Sequence, residues 1–80
     1  MSTSSVFREM ADRWPSTVVA RREVPRFTGG ALSAGHLANE DSRGAGPRNR
    51  FRIGKVVAYP VVDLVEWLEA RTRRVEDGTA

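Results

Sequence analysis

Eighty residues with no cysteine and one histidine can enclose one small core, but no disulfide framework, thiolate metal site or multi-histidine site can staple it. No apolar run reaches the roughly 20 residues that span a bilayer. The opening MSTSSVFREMADRW also lacks the basic-then-apolar order of a secretion signal, so the expected setting is cytoplasmic, away from membranes. The net charge of +3 is unevenly spread: residues 1–15 are neutral, 16–60 carry a surplus of five positive charges, and 61–80 are acidic. Between Asp41 and Asp63 there is no acid, yet Arg43, Arg48, Arg50, Arg52 and Lys55 fall there. Such a stripe is either a phosphate-binding surface or a solvated basic face.

Val6, Phe7, Met10, Ala11 and Trp14 recur at helical spacing behind Ser4 and Ser5, and Pro15 ends the pattern. Residues 1–17 are therefore an amphipathic helix and linker, whose apolar stripe either packs on the domain or meets a partner. Val19, Val24 and Phe27 are core candidates in the next stretch. A short helix is expected over residues 21–27, with Pro25 tolerated in its first turn and Gly29 and Gly30 stopping it. In LSAGHLANEDSRG, Ser33 is a natural cap, Leu32 and Leu37 occupy hydrophobic-staple positions, and Gly44 closes the helix. Two short helices joined by a glycine-bearing turn meet the minimum description of a helix-turn-helix.

After GAGP, the arginines Arg48, Arg50 and Arg52 alternate with Asn49, Phe51 and Ile53. Period two predicts a strand with three arginines on one face and apolar groups on the other. Gly54 and Lys55 supply the turn into VVAY. A two-residue loop sets Ile53 against Val56; a three-residue loop sets Ile53 against Val57 and Phe51 against Tyr59, the register favoured because it matches the two large rings. Pro60 opens a last helix with Val61, Leu64, Val65, Leu68 and Trp67 as the inward stripe. Residues 72–80 form a polar, frayed tail.

Enzyme constellations are missing from the sequence. There is no GxxxxGK[ST] loop and no Cys/His pairing, and Glu40 and Asp41 are adjacent rather than on one helix face. No catalytic activity, metal or other cofactor is expected.

The parts RREVPRFTGG, LSAGHLANEDSRG, FRIGK, Tyr59 and DLVEWL stand in one order over Val18 to Leu68. In that order they resemble the excisionase-like winged-helix domains, relatives of the MerR DNA-binding head and the AlpA-type prophage regulators. The resemblance implies a mainly α, winged helix-turn-helix domain over residues 18–71, with its second helix in the major groove of double-stranded DNA and its hairpin as a wing. It further implies either a recombination directionality factor that bends DNA for a separate integrase and self-associates on tandem sites, or a transcriptional regulator. Ala20 stands where the family commonly has a capping serine or threonine.

Helical spacing puts Ser33, Ala34, His36 and Asn39 near the leading face of that second helix, with Gly35 allowing close backbone approach. Asparagine can read adenine, and serine or histidine can donate to a base or a phosphate. The other expected contacts are Arg22, Arg43, Arg48, Arg50, Arg52 and Lys55; Arg21 and Arg26, beside Arg22, are either DNA-backbone contacts or solvated charge. Glu40 and Asp41 would repel phosphates, so either they face away from DNA or the helix docks shallowly; an acidic helix of this kind would also suit a protein-interaction adaptor.

Overall fold

The computed structural model describes residues 3–73 and 75. In chain order these form α1 (Thr3–Arg13), β1 (Val18–Ala20), a 3₁₀ turn (Arg21–Glu23), α2 (Val24–Phe27), α3 (Ala34–Ser42), β2 (Phe51–Ile53), β3 (Val56–Pro60) and α4 (Val61–Arg71). About half of the chain is helical, and the three strands make one antiparallel sheet in the order β1-β3-β2. A mainly α fold with a small hairpin is what the residue pattern predicts; β1 is the addition. Three residues of Val-Val-Ala are too short to show a period, and only β3 beside them makes them a strand.

Each helix boundary has a local cause. Ser33 has extended backbone and its hydroxyl accepts from the His36 N–H, 3.0 Å away, which caps α3. At the other end Gly44 takes φ +74°, and the N–H groups of Gly44 and Ala45 return to the carbonyls of Asp41 and Glu40. That pair of bonds is a Schellman ending, which needs a left-handed residue after the helix. Ala20 gives the first short helix no side-chain cap. Pro60 stands at the N-cap of α4, where its missing N–H is no loss.

The core joins every layer: Val19 from β1, Val24 and Phe27 from α2, Leu37 from α3, Tyr59 from β3, and Val61, Leu64 and Leu68 from α4. Burying an aliphatic or aromatic side chain is worth about 1.5–3 kcal/mol, so in a chain this short no single member is dispensable. The stripe of α1 goes to this core. Phe7 is buried, and Met10, Ala11 and Trp14 pack against the cluster, with α1 lying on α4. Trp14 Nε1 donates to the Val18 carbonyl at 2.8 Å, and its ring meets Phe27 edge-on, centroids 5.3 Å apart. The tail expected from residue 72 falls largely outside the described residues.

The favoured hairpin register is corrected. Ile53 pairs with Val56, Arg52 with Val57 and Phe51 with Ala58, across the two-residue turn Gly54-Lys55. Only the first turn residue, Gly54, has positive φ, at +64°, as a type II′ turn requires. Matching Phe51 to Tyr59 fails because Tyr59 already lies beside Val19 of β1, and both are fully buried. Its ring therefore belongs to the inner face of the sheet, and Phe51 lies on the outer one.

Candidate nucleic-acid interface

The face of α3 turned to solvent is built from Gly35, Asn39 and Ser42, with His36 and Arg43 on one flank and the half-buried Ala38 on the other. These positions are three and four residues apart, the spacing of one helix side. Ser33, at the N-cap, is exposed, and Ala34 is half-buried. Leu37 anchors the opposite side.

Both acids of α3 point into the protein. Glu40 is buried, and around its carboxylate stand His36 Nε2 at 3.7 Å, Arg43 Nη1 at 3.6 Å and Arg71 Nη2 at 3.6 Å. Its Oε2 has no hydrogen-bond partner among the described residues, so the guanidinium groups of Arg43 and Arg71 hold it by charge alone. The Asp41 side chain is 7% exposed and is gripped from three segments. Its Oδ2 accepts from Tyr59 Oη at 2.6 Å and from Arg21 Nη2 at 2.7 Å, while Arg50 Nε lies 3.5 Å from Oδ1. Arg21 Nε also donates to Tyr59 Oη at 3.1 Å, closing a triangle. Burial pushes the Tyr59 hydroxyl up to about 12. Arg21 is raised above its ordinary value, first by its bond to Tyr59 and also by Asp41.

A groove runs between α3 and the hairpin, lined by Arg21, Ala38, Asp41, Ser42, Arg50, Arg52 and Val57, with Phe51 at its edge. With Asp41 neutralised beneath it, its exposed charge is that of arginine. Ala38 and Ser42 are absent from the sequence-based candidates, and Arg21 stands among them only as a DNA-backbone contact beside Arg22 and Arg26. Ala38 and Ser42 stand three and seven residues after Gly35, a helical spacing that would have identified them; nothing local places Arg21 in the groove, since its position depends on a partner 20 residues away.

The expected strand face with three arginines is corrected as well. β2 begins only at Phe51, because Asn49 takes φ +60° and donates its amide to Asp63 Oδ2 at 3.2 Å, which breaks the period of two. Arg48 consequently lies beside Asp63 and Glu66 of α4, away from the groove. Arg50 folds back on the Asp41 carboxylate and on the carbonyls of Pro47 and Asp41. Arg52 alone keeps the expected strand position and is exposed. Lys55 is exposed at the hairpin tip and Arg22 in the 3₁₀ turn.

Among the described residues no helix is long and apolar enough to cross a membrane. No protein-family model, curated protein or solved structure matches this chain.

Proposed function

We propose that this chain is a sequence-specific DNA-binding factor without catalytic activity, a winged helix-turn-helix in which α2 and α3 are the two helices and the β2–β3 hairpin is the wing. In this reading α3 enters the major groove with Gly35 close to the bases, Asn39 and Ser42 at base edges, and His36 and Ser33 near the leading end. Arg52 and Lys55 of the wing, with Arg43 and Arg22, neutralise phosphates, which position a protein without specifying sequence. The observation that carries the reading is the inward turn of Glu40 and Asp41. The two charges that would repel DNA are buried against Arg21, Arg43, Arg50 and Arg71, leaving a small, polar, acid-free helix face beside an arginine-lined groove.

The same observation weighs against the protein-adaptor reading, which rests on the low basic charge of residues 33–42, because the acids such a helix would offer a partner are buried. The resemblance of Val18 to Leu68 to excisionase-like domains further supports an accessory role in a mobile element, as a recombination directionality factor that bends DNA for a separate integrase. A transcriptional regulator of the same fold is the second reading, since both need only site-specific binding.

The test is a salt titration on random duplex, followed by DNA flanking the source gene. With about four phosphate contacts the log-log slope is about −3.6, and Arg52→Ala reduces it by about one unit. A slope near zero for the intact protein removes the DNA-binding reading.

A further inference from the structure

Strand register fixes which side chains share a face of the sheet. Val19, Tyr59 and Val57 belong to the inner face, and Arg52, opposite Val57, shares it. The outer face carries Val18, Ala20, Ala58, Phe51, Ile53 and Val56, with no charged or polar side chain among them. An antiparallel sheet with one face in water ordinarily puts apolar groups inward and polar groups outward. β2 reverses this: its only charge faces inward over the groove, while Ile53 is 59% exposed and Phe51 40% exposed on the outside. The core does not account for side chains so exposed.

The hairpin also projects. β1 pairs with β3 only from Ala58 to Pro60, so the pairs Ile53–Val56 and Arg52–Val57 extend past it as a two-stranded ribbon ending in the two-residue turn. We infer that Ile53, with Phe51 behind it, is an apolar wedge that enters the minor groove next to the site of α3 and opens a base step. The inference rests on the DNA-binding reading above and names the residues that deform the duplex.

Charge selects this occupant. Lys55 stands at the tip two residues from Ile53 and Arg52 extends from the opposite face of the same ribbon, with no acid from residue 42 to 62. A ribbon inserted in a groove has a backbone wall on either side, so a duplex supplies phosphates both for Lys55 and for Arg52. Phosphates offer nothing to Ile53 or Phe51; the sugars and partly unstacked bases of the minor groove do. Isoleucine and phenylalanine are among the side chains that wedge between base steps and kink DNA by about 20–90°.

The test uses the full chain at saturation on a short duplex carrying a TA step, labelled at both ends for energy transfer and with a fluorescent adenine analogue at that step. Pyrimidine–purine steps unstack most readily. The wild-type protein brings the ends together and brightens the analogue, and a duplex without such steps bends less. Ile53→Ser still binds but loses at least about half of both signals; Phe51→Ala loses less, and Ile53→Leu keeps both. Circular dichroism verifies that each variant is folded. Bound but straight DNA, or an Ile53→Ser protein that bends and unstacks like the wild type, overturns the wedge. So does an Ile53→Ser protein whose only change is weaker self-association in sedimentation, which would assign the face to a second copy. If neither wild type nor variant binds any duplex, the DNA-binding reading fails and the wedge with it, an outcome distinct from straight bound DNA.

Discussion

The Asp41 carboxylate ties α3 to the 3₁₀ turn through Arg21, to β3 through Tyr59 and to the loop before β2 through Arg50. Removing one partner of a buried ion pair costs about 3–5 kcal/mol. Because Arg21 and Arg50 keep roughly a quarter to a third of their side chains in water, the expected cost of Asp41→Ala is lower, about 2–3 kcal/mol. Gly46 gives a second handle on the same group, since a Cβ there would fall onto the Asp41 carboxylate. Gly46→Ala alone is therefore destabilising, and in urea melts the double variant with Asp41→Ala should be more stable than additivity predicts by about 1 kcal/mol or more. Additive effects would show that Gly46 does not press on this carboxylate. Tyr59 is the only tyrosine, so its titration can be followed directly by ultraviolet absorbance. The folded protein should form tyrosinate near pH 12, against about pH 10 once unfolded. A raised pKa stabilises the fold in full below pH 10, and that contribution is lost as pH climbs from 10 through 12. A folded-state midpoint near 10 would mean that the hydroxyl is not buried as described.

At the scale of elements, α3 and the hairpin divide the work of the proposed interface. Asn39 is exposed on α3, and its side chain is not needed by the cap, the Schellman ending or the core. If its amide reads a base, Asn39→Ala loses about 1–3 kcal/mol on the specific site and almost nothing on random duplex, so the specificity ratio falls. A parallel drop on both DNAs would assign Asn39 to phosphate, and no change on either would take it out of the interface. The hairpin acts differently because it lacks a strand-long arginine face. Its left-handed Asn49 and the return of Arg50 to Asp41 leave Arg52 and Lys55 as its exposed cations. Phosphate contacts there change affinity for all sequences alike.

For the whole molecule, α1 is part of the fold's stability. It covers the far side of α4, and Phe7 enters the common core while Trp14 bonds the Val18 carbonyl and packs on Phe27. An 80-residue chain has few such side chains, and a buried Phe→Ala change costs about 3–5 kcal/mol. Phe7→Ala should therefore lower the thermal midpoint by more than 10 °C, at about 4–8 °C per kcal/mol for a domain of this size. An unchanged midpoint would make α1 an appendage rather than part of the core. The α3–β2 loop is held from the same helix: Trp67 Nε1 and Arg71 Nη2 both donate to the Ala45 carbonyl, at 2.7 and 3.1 Å. α4 thus supports both α1 and the segment leading into the hairpin.

Chemistry confined to a few neighbouring residues was legible in the sequence. The Ser33 cap, the Gly44 stop, Pro60 at the head of α4, the inward stripes of α1 and α4, and the glycine turn between the strands all depend on propensity and period. The inward direction of Glu40 and Asp41 was one of two open alternatives, because what could neutralise them lies up to 31 residues away in sequence, at Arg71. Only tertiary structure decided the rest. β1 exists because β3 offers it an edge; Tyr59 is inward because Val19 and Asp41 receive it; and Arg48 and Arg50 leave the strand because Asp63 and Asp41 take Asn49 and Arg50. Period two described residues 48–53 only so long as each side chain had no distant partner, and a buried carboxylate attracts an arginine more strongly than the weak preference of an edge strand for alternation can resist.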